Sequence, residues 1–264
     1  MAPPRKLLGP GEPPAVEHLN AAGKSPVLLT CDHASRRVPL ALAGLGLAEE
    51  IRAQHIGWDI GAAAVTRLLA AALDAPALLA GYSRLAIDCN RNLGDPTSIP
   101  AVSDGIAVPG NMGIDETERA QRVDALFKPY HAAVETALDG FAARGVVPAL
   151  LSIHSFTPVM DGIARPWHAG ILWDKDPRIP VPLMAALRRE AGLSIGDNEP
   201  YSAHEPAGYT VRTHAVGRGL PHVAIEMRQD LIADDKGAAA WARRLTAALT
   251  AILEDPALYR VKHY

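Results

Sequence analysis

Short apolar runs alternate along the chain with longer segments in which apolar residues recur at helical spacing. The short runs are typical of buried strands and occupy residues 27–31, 77–80, 85–87, 147–153, 170–173 and 223–225. The longer segments predict helices at residues 47–54, 59–73, 117–140, 182–191 and 236–253, with Pro129 kinking or interrupting the third. This alternation predicts a single α/β domain with a mostly parallel, mixed sheet flanked by helices.

Polar or charged residues follow four of the predicted strands. They are Asp32, His33, Asp88, Asn90, Arg91, His154 and Glu226. Because ligands bind at the carboxyl ends of the strands in open α/β sheets, we expect these side chains to share one site. The loop at residues 92–115 is long and rich in proline and glycine, and we expect it to line that site.

Composition narrows the class of protein. The 264 residues are 48% hydrophobic and 21% charged, which is typical of a soluble globular protein. The net charge of −3 argues against a strongly basic nucleic-acid binder, and two cysteines argue against a disulfide framework. Residues 1–14 lack the apolar core of a signal peptide, and no run approaches the ~20 apolar residues of a membrane helix. We expect a cytoplasmic protein with a proline-rich extension at residues 1–20 and one domain at residues 21–264.

Each of the two histidines that follow a predicted strand has a plain alternative to metal binding. His33 is either a zinc ligand through its neutral imidazole or part of a surface turn with Asp32. His154 is either a ligand or a buried polar group that its neighbours satisfy.

Charged residues beside the strands have similar alternatives. Arg84 and Arg91 bracket residues 85–87, and each either grips a substrate carboxylate with its planar fork or forms a salt bridge with Asp88. Glu226 is either a general base or the ion-pair partner of Arg228.

Further clusters carry weaker signals. Asp59 precedes a predicted helix, where an N-cap is the ordinary role of an aspartate. Arg165 and His168 either contact a ligand or belong to a packed loop. Tyr209 is either a mobile hydrogen-bond donor or an ordinary strand residue.

Taken in order, these motifs resemble a known superfamily. Asp32-His33, the string DCNRN at residues 88–92, the string SIHSF at residues 152–156 and the late Glu226 are similar to the zinc carboxypeptidase pattern. Within that superfamily, CDHASRRVP, GWDIGA, SRLAIDCNR, the loop at residues 109–111 and IEMRQDL resemble the N-formylglutamate amidohydrolase family. This second resemblance extends over nearly the whole chain.

The resemblance implies a zinc-carboxypeptidase-like (phosphorylase/hydrolase-like) fold and a metal-dependent hydrolase. The expected substrate is a small acidic N-acyl amino acid such as N-formyl-L-glutamate. His33 and His154 would bind one Zn²⁺ per chain, although the same ligand types suit other divalent ions. Glu226 would act as general base and Arg84 would stabilise the oxyanion.

The remaining predicted roles concern substrate binding. Asn90 and Arg91 would hold a substrate carboxylate, as the resemblance implies. Arg165, His168 and Tyr209 would grip a second carboxylate or close the pocket.

One position departs from the carboxypeptidase pattern. Those enzymes place a glutamate ligand three residues after the first histidine, where this chain has Arg36, which does not bind metal. We expect Asp59 to supply the third ligand, because the resemblance to the amidohydrolase family runs through GWDIGA. Asp32 is the alternative, but its side chain would point away from the metal if the strand continues through His33.

Other functions stay open from the sequence. A carboxypeptidase or deacylase acting on another carboxylate-bearing substrate fits the same residues. A metal-binding or carboxylate-binding protein without catalysis is the alternative from another class. The sequence gives no oligomeric state.

Overall fold

A mixed seven-stranded sheet forms the centre of the structure, a computed structural model that describes residues 6–204 and 208–264. The strands within these residues are β1 (Val16–Leu19), β2 (Val27–Cys31), β3 (Ala77–Ala80), β4 (Val102–Ser103), β5 (Ile106–Ala107), β6 (Ala149–Phe156), β7 (Val159–Met160), β8 (Ile163–Ala164), β9 (Ala169–Leu172), β10 (Ile195–Asp197) and β11 (His222–Arg228). The sheet order is β1-β3-β2-β6-β11-β9-β10. Two pairs, β1 with β3 and β9 with β11, are antiparallel, and the other four are parallel.

Helices cover the sheet and connect its strands. They are α1 (Glu49–Arg52), α2 (Ala62–Ala72), α3 (Glu116–Arg122), α4 (Lys128–Ala143), α5 (Pro180–Leu187) and α6 (Asp235–Leu253). Shorter 3₁₀ turns lie at Leu40–Gly46, Pro96–Ser98, Pro109–Asn111, Val216–Arg218, Gln229–Leu231 and Pro256–Leu258. The predicted α/β class and mostly parallel mixed sheet are confirmed. None of the helices described is long and apolar enough to cross a membrane.

Strand alternation gives the sheet two different faces. One face, here called the packed face, carries apolar side chains such as those of Leu29, Ile153 and Ile225. These side chains are fully buried beneath α2, α5 and α6. On the other face, here called the site face, Leu28 and Leu150 pack beneath α4. The polar side chains of His154 and Glu226 lie on this same face.

The predicted strands agree with the structure at five of six positions, with small differences at their ends. Two of these differences matter, because β6 and β11 each continue for two residues beyond the predicted site residue. His154 and Glu226 therefore lie inside strands rather than after them. They are register partners in adjacent parallel strands, so their side chains share the site face.

The strand predicted at residues 85–87 is wrong, because this segment is a turn. The backbone N–H of Ala86 donates to the Ser83 carbonyl at 2.9 Å. The carbonyls of Leu85 and Ala86 accept from the side chains of Asn111 and Arg122 at 2.8 and 3.1 Å. Side chains thus satisfy the backbone groups that a sheet would otherwise pair, while the apolar run stays buried.

The helix predicted at residues 117–140 is present, with an irregularity before Pro129. A π-helical turn at Val123–Phe127 joins α3 to α4. Pro129 lies in the first turn of α4 and has no N–H to donate to an earlier carbonyl. This missing hydrogen bond accounts for the π-helical turn in place of a regular α-helical one. The interruption is therefore a change of helix type, and the chain continues as a helix.

β1 lies within the segment that the sequence analysis separates as an N-terminal extension. Val16 pairs with Ala80, so this part of residues 1–20 forms an edge of the sheet. The boundary at residue 20 stays a prediction.

Gly61, two residues after Asp59, is the N-cap of α2. It has a φ of +82°, and a Cβ at this position would lie 2.2 Å from the Ile232 carbonyl oxygen. We expect Gly61→Ala to lower the free energy of unfolding by about 2–5 kcal/mol, from the positive φ and the backbone clash together. Gly113→Ala is the matched control, because Gly113 has a φ of +67° and open space around it. Urea denaturation should give a cost of about 1–2 kcal/mol for this control, and equal costs for the two variants would contradict the account.

Candidate metal centre and active site

His33 lies in the turn that follows β2, two residues after the strand ends, and is held between two carboxylates. Its Nδ1 is 3.3 Å from Asp59 Oδ2, and its Nε2 is 2.7 Å from Asp88 Oδ1. All three side chains are buried. The surface-turn alternative for His33 therefore does not describe the structure.

His154 has a matching arrangement on β6. Its Nδ1 is 3.1 Å from the same Asp59 Oδ2, and its Nε2 is 2.9 Å from Ser152 Oγ and 3.3 Å from Asp32 Oδ2. Each histidine thus has a carboxylate at Nε2, and both present Nδ1 to Asp59.

Asp59 does not cap the helix that follows it. The N-cap of α2 is Gly61, and no side chain caps this helix end. The Asp59 carboxylate instead accepts the backbone N–H of Ser155 at 3.2 Å and lies between the two histidines.

Asp32 lies on the far side of His154 from Asp59. Its Oδ1 accepts hydrogen bonds from Tyr130 at 2.6 Å and Thr210 at 2.9 Å. Asp32 therefore contacts the nitrogen of His154 that faces away from Asp59. This position suits an orienting carboxylate.

The donor atoms of His33, Asp59 and His154 lie within 4.8 Å of one another and form a group suited to a metal ion, the only such group among the residues described. A carboxylate at each Nε2 favours a proton there and leaves the lone pair of Nδ1 free for a metal. Two neutral imidazoles and one carboxylate are a common zinc ligand set that leaves a fourth position open. The residues present therefore fit a divalent metal ion.

Charge inside this buried cluster shifts the pKa values strongly. Burial opposes charge on every member, but the opposite charges outweigh it. The pKa of Asp59 falls well below its usual range beside the two imidazoles, and that of Asp32 falls to about 2 beside His154. The pKa values of His33 and His154 are raised, because burial and, for His33, the Arg84 guanidinium are outweighed by the neighbouring carboxylates.

Glu226 stands beside His154 on the site face. Its side chain is buried, and its Oε2 has no hydrogen-bond partner among the residues described. Burial raises the pKa of Glu226 to about 7, since its ionised form is poorly solvated there. Arg228 pairs with Asp230 at 2.7 Å, so the predicted alternative of a Glu226–Arg228 ion pair is not formed.

Arg84 forms the salt bridge that the sequence analysis gave as its alternative role. One guanidinium nitrogen lies 2.8 Å from Asp88 and another lies 3.5 Å from Asp59. Arg84 is about a quarter exposed and also lines the cavity. It therefore supports the carboxylate that holds His33 while remaining accessible from the cavity.

A cavity of about 810 Å³ opens onto this cluster. The predicted site residues that line it are His33, Asp59, Arg84, Asn90, Arg91, His154 and Glu226. Residues of the loop at 92–115, including Thr97 and Val102, form part of its wall, as predicted.

Asn90 has a structural role as well as a place in the cavity wall. Its Oδ1 accepts the backbone N–H groups of Tyr209 and Thr210 at 2.7 and 3.0 Å. Thr210 in turn donates to Asp32. Asn90 thus links the cavity wall to the carboxylate behind His154.

Tyr201 is a cavity residue that sequence reasoning missed. Its ring lies 4.9 Å from the Arg165 guanidinium, which also donates to its hydroxyl at 3.1 Å. Arg165 does not itself line the cavity and contacts its wall through Tyr201. No sequence motif distinguishes Tyr201 from Tyr209, which sequence analysis selected.

His168 and Tyr209 are not among the residues that line this cavity. His168 Nδ1 accepts the backbone N–H of Ser194 at 2.8 Å. The Tyr209 ring packs against Phe127 and His131. Substrate-contact roles for both residues stay predictions.

Two glycines bring Tyr201 to the site. A Cβ on Gly170 would lie 1.9 Å from the Glu199 carbonyl oxygen, and one on Gly196 would lie 2.7 Å from Glu199 Cβ. Gly170 is also the register partner of Glu226. Because neither glycine has a side chain, Glu199 packs directly against them, and the chain that follows it leads to Tyr201.

Comparisons with known proteins show what the chain as a whole is similar to. The family model for N-formylglutamate amidohydrolase matches residues 25–233. The structure of gene product Atu2144 from Agrobacterium tumefaciens is 38% identical, with a TM-score of 0.89, over 94% of this chain and 100% of that one. N-formylglutamate amidohydrolase from Ralstonia eutropha JMP134 is 21% identical, with a TM-score of 0.61, over 91% of this chain and 97% of that one. No curated protein matches.

The ligand set predicts how metal binding responds to mutation. Calorimetric titration with Zn²⁺ should give about one ion per chain, with binding lost in His33→Ala, Asp59→Ala and His154→Ala. Asp88→Asn should weaken binding by about 10–100-fold, because His33 loses its charged acceptor. His18→Ala, on the exposed part of β1, is the control. Unchanged affinity in the three ligand variants would rule out this ligand set.

Protons compete with the metal ion at this site. A metal binds neutral imidazole, and the pKa values of His33 and His154 are raised, so binding must release protons. We expect affinity for Zn²⁺ to fall as pH decreases, with protons taken up by the buffer in calorimetry. A pH-independent affinity between pH 6 and pH 8 would contradict this expectation.

Proposed function

This chain belongs to the N-formylglutamate amidohydrolase family, and from that membership we propose that it hydrolyses the N-formyl, or another small N-acyl, amide of an acidic amino acid. N-formyl-L-glutamate is the first substrate to test. The observation that carries the proposal is the meeting of His33 Nδ1, His154 Nδ1 and the Asp59 carboxylate beside the unpartnered carboxyl of Glu226.

His33, Asp59 and His154 would hold one Zn²⁺ in this proposal. When bound, the ion supplies Lewis acidity, which makes water more acidic and polarises a carbonyl group. Asp88 and Asp32 keep the protons of the two imidazoles on Nε2, and so keep both Nδ1 atoms available.

Glu226 would move the proton in the reaction. Its Oε2 takes a proton from the attacking water and then gives it to the nitrogen of the departing amine. Burial raises the pKa of Glu226, which makes this carboxylate a stronger base than an exposed glutamate and suits it to take a proton from water. The absence of a hydrogen-bond partner for Oε2 within the described residues leaves that atom free for water.

Arginine side chains would recognise the charges of the substrate. Arg84 lines the cavity beside Asp59 and would donate to the carbonyl oxygen as negative charge develops on it. Asn90 and Arg91 would hold one substrate carboxylate from the cavity wall. Arg165, with Tyr201, would hold a second carboxylate, which suits an acidic amino acid such as glutamate.

Substitution of the proposed base separates catalysis from metal binding. We expect Glu226→Gln to retain Zn²⁺ and to lower kcat for N-formyl-L-glutamate by about 10²–10⁴-fold, because an amide does not accept the proton. Formate release measures turnover, and metal analysis measures occupancy. Glu50→Gln, at an exposed position of α1, is the control and should keep full activity.

The results also distinguish the alternative functions. Full activity in Glu226→Gln would overturn the general-base role. Bound zinc with hydrolysis of other N-acyl amino acids, but not of N-formyl-L-glutamate, would indicate a related deacylase or carboxypeptidase. Bound zinc without hydrolysis of any such amide would indicate a binding protein.

A further inference from the structure

The cavity continues well beyond the metal-binding group along β11. His222, Ala224 and Glu226 alternate on the site face, and all three line the cavity. At about 3.3 Å per residue, the four-residue step from Glu226 to His222 spans about 13 Å. Leu172 is the register partner of Ala224 and continues the floor of this groove onto β9.

The groove exists because helix α4 covers only part of the site face. The hydrophobic cluster beneath α4 includes Leu150 of β6 but, among the residues described, none of β9 or β11. His222 of β11 is the register partner of Leu150 of β6, so the part of the site face that α4 covers ends between these two neighbouring strands. Ala224 is consequently only partly buried near the middle of a central strand, which is unusual in a sheet of mostly parallel strands.

Cationic residues lie near the far end of this groove, since Asp176, the neighbour of Lys175, lies 3.8 Å from His222 and the Lys262 backbone N–H donates to the Gly219 carbonyl at 2.8 Å. Lys175, Arg212 and Lys262 line the cavity and are exposed. Within residues 6–204 and 208–264, no acidic side chain forms an ion pair with any of the three. Two aspartates also line this part of the cavity, and Asp176 is paired with Arg178 at 2.5 Å, while Asp174 contacts the His204 imidazole at 2.9 Å.

The proposed small substrate does not need this space. N-formyl-L-glutamate has about a dozen heavy atoms, whereas a cavity of 810 Å³ lies toward the upper end of the range for drug-sized ligands. The metal-binding group and Arg84 occupy one end of the cavity. The groove along β11 therefore offers room and positive charge to a longer molecule.

We propose that this groove is a second substrate subsite, which binds an extended arm, about 13 Å long and ending in an anion, on an N-acyl amino acid. The inference rests on the proposed hydrolase function and specifies its substrate class. The arm is either an acyl chain that ends in a carboxylate or a chain of further acidic residues. Lys175, Arg212 and Lys262 would bind its anionic end, and Ala224 would lie beneath its middle.

Three compounds test this proposal against N-formyl-L-glutamate. N-sebacoyl-L-glutamate extends the acyl side and ends in a carboxylate, and an N-formylated γ-linked triglutamate extends the amino-acid side. N-decanoyl-L-glutamate has the same chain length as the first but ends in a methyl group. We expect kcat/KM for at least one carboxylate-ended compound to exceed that for N-formyl-L-glutamate by about tenfold or more, and the methyl-ended compound to lack this gain.

Substitutions in the groove locate the effect. Arg212→Gln, Lys175→Gln and Ala224→Leu should each lower kcat/KM for the preferred long compound by about tenfold and change that for N-formyl-L-glutamate by less than about twofold. Arg243→Gln and Ala251→Leu are matched controls at exposed positions of α6 and should change neither value. Equal losses for long and short substrates, or no loss for either, would overturn the subsite.

A binding measurement separates failure of the subsite from failure of the proposed function. Zinc-loaded Glu226→Gln should bind at least one of the two carboxylate-ended compounds about tenfold more tightly than it binds N-formyl-L-glutamate, and adding Arg212→Gln should abolish this difference. If no compound is hydrolysed but this pattern holds, the hydrolase function fails and the groove stands as a binding site. If N-formyl-L-glutamate is hydrolysed but the long compounds bind no better, the subsite fails and the hydrolase function stands.

Discussion

The structure of the site depends on the carboxylate that lies beside the Nε2 atom of each of two buried histidines. Asp88 at His33 and Asp32 at His154 each take the Nε2 side of the ring. An imidazole that donates from Nε2 keeps a lone pair on Nδ1, so two buried rings present matching acceptor atoms to one carboxylate, that of Asp59. These outer carboxylates, together with the Ser152 hydroxyl 2.9 Å from His154 Nε2, fix the tautomer and the orientation of both rings. Their own partners, Arg84 and Tyr130, extend this constraint into the surrounding fold.

The sheet supplies the second constraint, because alternation separates packing from chemistry. The packed face of β6 and β11 is apolar except for Ser155, so these strands tolerate polar residues on their site face without losing the core. Parallel register then sets His154 directly beside Glu226. Two positions earlier on β11, the small side chain of Ala224 leaves the site face open. One alternating pattern thus accounts for both the reactive centre and the groove beside it.

Much of this fold is visible in the sequence, because apolar runs such as residues 27–31 and 77–80 match buried strands closely. The run at residues 85–87 looks like these strands in the sequence but is a buried turn. Its carbonyls accept hydrogen bonds from the side chains of Asn111 and Arg122, and local periodicity does not reveal such distant partners. The sequence order grouped His33, His154 and Glu226, which the structure brings together. The sequence did not identify Tyr201 as a cavity residue. The position of Tyr201 depends on the space that Gly170 and Gly196 leave for Glu199, and no sequence motif links these glycines to Tyr201. Sequence periodicity therefore predicts the strands but not the contacts that loops make across the sheet.

The central claim is that both histidines bind a metal ion through Nδ1, with Asp59 as the third protein ligand. A crystal structure of the zinc-loaded protein, with anomalous data collected on both sides of the zinc edge, tests it directly. The account predicts one anomalous peak about 2.0–2.2 Å from His33 Nδ1, His154 Nδ1 and an Asp59 oxygen. A zinc ion bound through Nε2 of either histidine, or held by Asp32 or Asp88 in place of Asp59, would contradict it.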